Sequence, residues 1–522
     1  MKAEEGKRST IIGGTLSLTL SALTVKILGV IYKIPLAGLL GEEGMGYFNS
    51  AYTVYGFFYL LCTAGVPKAV MILTAESEDP AARRRTARVA TRAFLFLGIA
   101  VTALFMLLSG KLSELIGNRG AEATMLAVAP SIIFISVAGV VRGALNAEMK
   151  LMDVAISQLV EGVGKLALGL VFAVVGHRLG LSLELISAFT ILGVTLGAFF
   201  GMLYLLGASK VKISDKKQRQ KVSKTEKHLI IKRIFSISLP ITFSAAVMSI
   251  TNVIDLALIM RRLEGLGYSE LEASTLYGNY TTLAVPMLNL AISIVTPVSV
   301  AFLPVFTRAR AGNDRMLLSR ALGDSIRLSS ALSAPLFVGI SAFSAEILTM
   351  LFPDMDIRLG APLLCLLMPA LVFATPLLIL NSALEANGFV KAPVISMLVG
   401  SALKLLVSFL LLGNEDFGIS GAPIGTVVSY AAGLSVSLIL CHRRAGLKPS
   451  VITSSVLPYI AAFGSVGLSR LLYSRLPTGA RGSLSLVVTV LLCAAAYMFL
   501  LYLFGVLSKD KLSEMSKYTK SL

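Results

Sequence analysis

Apolar windows of about 20 residues recur along nearly the whole chain, and this recurrence constrains the fold more than any other feature. A backbone in hydrocarbon has no water to satisfy its N–H and C=O groups. A window that crosses a bilayer therefore crosses as a helix, with its hydrogen bonds internal. Fourteen spans can be drawn, near 11–40, 46–74, 89–109, 123–146, 152–176, 182–207, 230–260, 275–305, 325–350, 360–386, 392–412, 420–441, 451–472 and 483–507. Composition agrees: of 522 residues, 55% are hydrophobic and only 15% charged, where soluble domains carry about 25%. The predicted fold class is an all-α polytopic membrane protein of about fourteen transmembrane helices.

A net charge of +18 would suggest nucleic acid as the partner of a soluble protein. Here the positive charges gather in short connections: Arg83, Arg84, Arg85, Arg88 and Arg92 after span 2, the basic segment 208–233 after span 6, Arg308 to Arg327 after span 8, and Arg443 and Arg444 after span 12. All are even-numbered connections, so the positive-inside rule places them and both termini in the cytosol. Anionic membrane lipids, not nucleic acid, are the expected partners of these clusters. Lys2, Lys7 and Arg8 precede an apolar run as in a signal peptide. No small-residue cleavage site follows a short apolar core, and the segment reads as a retained first span.

The polar stretch 210–229 divides an N-lobe, 1–209 (spans 1–6), from a C-lobe, 230–445 (spans 7–12); residues 446–522 add spans 13 and 14 and a tail. The lobes resemble each other. Shifted by 239 residues, Ala144-Leu145 falls on Ala383-Leu384, Ile156-Ser157 on Ile395-Ser396, and Lys165-Leu166 on Lys404-Leu405. Duplicated six-span bundles characterise transporters, with the substrate site between the repeats.

Within the spans the cations stand out. Lys26 and Lys33 lie seven residues apart in span 1, about two turns, and project from nearly one face. A bare ammonium facing lipid costs at least about 2.5–3.5 kcal/mol. Either this face lines water or an anionic ligand, or Lys33 snorkels to the interface. Lys165 and Lys404 occupy equivalent positions in spans 5 and 11. Glu161, one turn before Lys165, suits an i,i+4 pair; Lys404 has Gly400 at that place. Arg142 ends span 4, where snorkelling and function are both open. Asp255, with Asn252 one turn earlier in span 7, either couples to Na⁺ or H⁺ or pairs with a lysine of the other lobe. Tyr47, Tyr52, Tyr55 and Tyr59 share approximately one face of span 2, suited to sugar stacking or to packing. Positive charge exceeds negative inside the spans, so the expected ligand is an anion, and a diphosphate suits lysine and arginine. A Walker motif and an HExxH are absent, and Cys62, Cys365, Cys441 and Cys493 form no CxxC. No ATPase, metal site or cofactor is expected.

Several stretches resemble a known family. Val25-Lys26-Ile27-Leu28-Gly29-Val30-Ile31-Tyr32-Lys33-Ile34-Pro35, followed by Gly41-Glu42-Glu43-Gly44, is similar to the first-span signature of the SpoVB/YtgP group, relatives of the MurJ lipid II flippases in the MOP superfamily. Arg142-Gly143 with Ser157-Gln158 and Glu161 resembles that group's motif across spans 4 and 5. So do Tyr277-Gly278, Pro286, Asn289-Leu290 and Leu303-Pro304 in span 8. Gly418-Ile419-Ser420-Gly421-Ala422-Pro423-Ile424-Gly425-Thr426 resembles a motif of wider polysaccharide exporters.

The resemblance implies two six-helix lobes around a cationic cavity, a groove shaped by spans 13 and 14 for a polyprenyl tail, and lipid II as cargo. It also departs from the MurJ pattern. Lys26 falls where those proteins carry a cavity arginine, but Tyr32 aligns with the second such arginine, and the one in span 2 is replaced near Tyr59 and Leu60.

The expectation is therefore a flippase of the bacterial cytoplasmic membrane working by alternating access. Lys26, Lys33, Lys404, Lys165 and Arg142 would hold the diphosphate, and Asp255, Asn252 and Glu161 are candidates for ion coupling. Drive would come from Na⁺, H⁺ or the membrane potential. Partners would be a lipid-linked glycan, membrane lipids and cell-wall synthesis machinery. The alternatives are export of teichoic, capsular or spore-related precursors, a MATE-type drug exporter, and a membrane glycan polymerase. The last would need catalytic carboxylates facing a long outer loop, and no outer connection here is long.

Overall fold

The computed structural model describes residues 2–77, 79–209, 223–446, 451–477 and 482–506, with the side chains of 2–23, 25–28, 30, 244, 248, 444 and 445 outside the description. The described residues are helical and contain no strand. In chain order the helices are α1 (Lys2–Thr63), α2 (Val66–Ala75), α3 (Pro80–Leu115), α4 (Glu122–Val128), α5 (Ser131–Ala147), α6 (Leu151–Arg178), α7 (Leu183–Ala208), α8 (Lys224–Gly265), α9 (Glu270–Asn279), α10 (Val285–Ala311), α11 (Arg315–Ala342), α12 (Ser344–Leu351), α13 (Ile357–Leu367), α14 (Ala370–Ala386), α15 (Ala392–Leu412), α16 (Gly421–Ala445), α17 (Val451–Ser474) and α18 (Ser483–Leu503).

Eleven helices among the described residues are long and apolar enough to cross a membrane, and up to thirteen if each bent pair is one span. The protein is an all-α polytopic membrane protein. The first of these segments, Ile31–Ala75, joins the end of expected span 1 to span 2. The chain bends inside it at Gly41, whose φ of 65° and ψ of −172° leave the helical region, a conformation open to glycine because it lacks a Cβ.

Helix starts follow local capping chemistry. The Asp79 carboxylate accepts from Ala81 N at 2.8 Å and Ala82 N at 3.1 Å, with Pro80 in the first turn. The Ser223 hydroxyl accepts from Glu226 N at 3.1 Å, and Asp314 from Leu317 N at 2.8 Å. Two spans are broken at prolines. α4 and α5 meet at 43° around Pro130, and α13 and α14 meet at 41° around Pro369. A proline there supplies no N–H to the helix ladder. These prolines stand 239 residues apart, the repeat spacing of Lys165 and Lys404.

Contacts divide the chain into two compact units, Met1–Gly278 and Asn279–Leu522. This boundary lies beyond the polar stretch 210–229, because α8 packs on α1, α2 and α3. It falls just before a π-helical turn, Tyr280–Ala284. In the first unit, Val66 and Val70 of α2 pack with Phe94 of α3, Val140 of α5 and Ile234 of α8. In the second, Phe306 of α10, Leu322 of α11, Leu380 of α14 and Cys441 of α16 share one core. Another gathers Phe343 with Ala461 of α17 and Tyr497 of α18.

Small residues set the closest packing. On α7, Gly193, Gly197 and Gly201 form a G-x3-G-x3-G stripe against α6, the arrangement that lets membrane helices approach backbone to backbone. A methyl on Gly197 would fall 2.6 Å from the Glu161 carbonyl oxygen and 2.7 Å from Lys165 N. The second unit repeats this register between α15 and α16. Gly193 lies over Lys165 O, and Gly425 over Lys404 O. Gly201 lies over Ser157 O, and Gly433 over Ser396 O. The paired helices repeat although the connector between them is shorter in the second unit.

Candidate functional site

The site in the first unit is built on the part of α1 that follows Gly41. Lys33, before the bend, donates from Nζ to Asn49 Oδ1 at 3.1 Å. One turn beyond Asn49, Tyr52 receives Lys165 from α6. The ammonium donates to the tyrosine hydroxyl at 3.2 Å and stands 4.4 Å from the ring centroid, within cation–π range. Lys33 and Lys165 are thus held by side chains one turn apart on the same helix, Asn49 and Tyr52. Among the described residues no carboxylate pairs with Lys165.

Arg142 and Glu161 complete the cluster differently from the expected i,i+4 pair. The Arg142 guanidinium, 13% exposed, lies 2.7 Å from Glu161 Oε2 and donates from Nε to Ser157 Oγ at 3.3 Å. Glu161 thus pairs across helices with α5. Four residues advance a helix by 400°, so Lys165 is turned about 40° away from Glu161, towards Tyr52. Arg142 is held inside the bundle on its carboxylate.

An aromatic ladder supports Tyr52. Phe48 stacks on it with centroids 6.1 Å apart and planes at 6°, and Tyr55 and Tyr59 continue at 5.7 and 5.8 Å. Tyr47, expected on this face, leaves the ladder: its hydroxyl donates to Glu43 Oε1 at 2.8 Å, and its ring packs against Gly120. Thr53 donates to Asn49 O at 2.8 Å and lies 3.3 Å from the Tyr277 hydroxyl. Asp255 is buried on α8, and Asn252 is exposed.

The side chain of Lys26 lies outside the described residues. Lys404 lies half-buried on α15 in the second unit, one turn beyond Gly400, where a Cβ would meet Ser429 O at 2.5 Å. Asn381, the repeat counterpart of Arg142, accepts from Ser396 Oγ at 3.4 Å and from Ser437 Oγ at 2.8 Å. The second unit therefore keeps the framework and the lysine but not the arginine–glutamate pair.

Sequence reasoning missed Asn49 as the partner of Lys33 and the glycine stripe behind Lys165. The stripe was readable as a spacing of four. Asn49 carried only a weak signal, a polar residue in an apolar span.

These features first define a class. The solved structure of a lipid II flippase MurJ in an inward closed conformation is similar with a TM-score of 0.73 at 14% identity, over 93% of this chain and 98% of that one. An inward-facing multidrug resistance MATE family transporter of the MOP superfamily matches at TM-score 0.63 and 15% identity, over 87% and 98%. The fold of this chain is shared with these two transporters.

Sequence comparison narrows the class. Stage V sporulation protein B of Bacillus subtilis (strain 168) is 23% identical over 526 residues, 97% of each chain. Lipid II flippase MurJ of the same strain is 21% identical over 482 residues, 88% of each. Residues 11–310, more than half of the chain, match the family described as Polysaccharide biosynthesis protein, and the chain belongs to that family.

Proposed function

We propose that this protein flips a polyprenyl-diphosphate-linked glycan precursor across the bacterial cytoplasmic membrane, with lipid II as cargo, moved from inner to outer leaflet by alternating access. The observation that carries the proposal is Lys165, a half-buried cation on a membrane-spanning helix whose partner among the described residues is a neutral tyrosine, with Lys33 held on Asn49 one turn away. A cation kept at membrane depth without a carboxylate suits an anionic ligand. Lys33 and Lys165 would hold the diphosphate, with Lys26 and Lys404 contributing. Arg142 would act through its pair with Glu161.

Both termini would be cytosolic. Asp255 and Asn252 would serve coupling to Na⁺ or H⁺, and the membrane potential would add about 2.3 kcal/mol per charge per 100 mV. Cell-wall synthesis enzymes would be the upstream and downstream partners.

The test is translocation of lipid II in cells depleted of their own flippase and expressing this protein, with outer-leaflet lipid II read by an externally added cleaving enzyme. Restoration by the native chain and loss in Lys165→Ala, at equal protein in the membrane, is the expected result. Lipid II that stays inside would overturn the cargo. The likeness to a sporulation protein favours one second reading, another polyprenyl-linked oligosaccharide, which the same assay with that precursor would detect. A cationic-drug exporter fits poorly, since the cluster's surplus charge is positive.

A further inference from the structure

Three cations meet in the first unit, and they are treated in two ways. Arg142 is matched by a carboxylate 2.7 Å away, so its charge is cancelled within the protein. Lys165 is matched by a phenol: the hydroxyl accepts a hydrogen bond and the ring face attracts the ammonium, but neither removes the charge. The phenol is itself immobilised. Phe48 stacks on it, and Tyr32 meets Phe48 edge-on with centroids 6.5 Å apart. Tyr52 is still 39% exposed, so the ammonium resting on it remains within reach of a ligand.

A lysine free in water loses much rotamer freedom when it is fixed on an anion. Tyr52 removes that loss in advance, which is preorganisation in its usual sense. Asn49, one turn earlier on the same helix, does the same for Lys33. One turn of one helix thus fixes where two lysine charges stand relative to each other.

We propose that Tyr52 is a specificity-determining positioning residue, which parks the Lys165 ammonium beside Lys33 so that the site selects a diphosphate diester over a monophosphate diester. The inference rests on the anionic-ligand reading above. A diphosphate diester carries two negative charges on adjacent phosphates and engages both lysines. A monophosphate diester carries one and leaves the second lysine unmatched. Selection therefore depends on Lys165 being held in place, not only on its being charged. Glu161 contributes by keeping the Arg142 charge out of the count.

The experiment uses the full-length protein in detergent, titrated with farnesyl-diphosphoryl-N-acetylglucosamine and with farnesyl-phosphoryl-N-acetylglucosamine. The native chain is expected to bind the diphosphate at least about tenfold more tightly. Tyr52→Leu, which removes both hydroxyl and ring, should reduce that ratio to about threefold or less, mainly by weakening the diphosphate. Tyr52→Phe keeps the ring and should fall between. A merely structural role would lower thermal stability and affect both ligands alike. An unchanged ratio in Tyr52→Leu, with binding lost in Lys165→Ala, would overturn the role of Tyr52 and leave the anion site standing. Binding of neither probe by the native chain would overturn both.

Discussion

At the scale of single residues, the site separates a cation that is neutralised from one that is only positioned. Arg142→Ala leaves Glu161 without its partner in a site where that carboxylate is 28% exposed. Breaking such a pair costs about 3–5 kcal/mol when fully buried, and solvent reduces this to about 1–3 here. Thermal unfolding in detergent should show the drop, and Arg142→Ala with Glu161→Gln should recover most of it. Lys165→Ala should behave in the opposite way, with unfolding near that of the native chain and transport reduced tenfold or more. Lys165→Arg should keep part of the activity, because the charge remains while the fit to Tyr52 changes. If Lys165→Ala unfolds early and Arg142→Ala does not, the two roles have been exchanged.

Between helices, glycine spacing does the positioning. Gly197 brings α7 against the backbone of Glu161 and Lys165, so the stripe fixes α6 and with it the site. Gly197→Leu forces the helices apart and should cost at least about 1–3 kcal/mol. Transport should fall with it even where protein reaches the membrane. Gly207, with no atom near its missing Cβ, is the control, and its substitution by alanine should leave unfolding unchanged. A second tie operates near the far ends of α3 and α8. Arg261 donates to Glu114 O and from Nη1 to Glu264 Oε2 at 3.0 Å, while Glu270 accepts from Arg119 N. Asn118 donates to Ser50 Oγ at 2.9 Å and to Ser274 Oγ at 3.1 Å. Arg261→Ala with Glu270→Gln should speed amide exchange over residues 261–278 while leaving α6 and α7 protected. Uniform exchange across the unit would contradict a local tie.

Over the whole molecule, the positive-inside pattern makes a prediction about orientation that geometry alone does not. In a variant lacking the four native cysteines, Lys111→Cys should react with a membrane-impermeant maleimide in intact cells. Arg84→Cys should react only after lysis. Both positions are exposed, so accessibility within the protein does not confuse the result. The reverse pattern would invert the topology and with it the proposed direction of transport. The internal repeat also gains structural content at this scale. Pro130 and Pro369 break equivalent spans, and Lys165 and Lys404 lie under equivalent glycines, each within its own unit.

Much of this was written in the sequence, because membrane burial leaves few options. A run of apolar residues must become a helix, so the helix α15 spans 392–412 as the hydropathy pattern predicts, and α7 falls within one residue of its expected bounds. The intramembrane lysines were visible for the same reason, since charge is rare there. What the sequence left open was which partner each charge takes. Glu161 stands at the right interval for Lys165, yet it pairs with Arg142, because partner choice depends on which helix packs across the face and not on spacing along one helix. The compact boundary at Gly278 was likewise hidden. Linker composition marks where the chain is polar, while the docking of α8 on α1, α2 and α3 depends on surfaces that only the folded chain brings together.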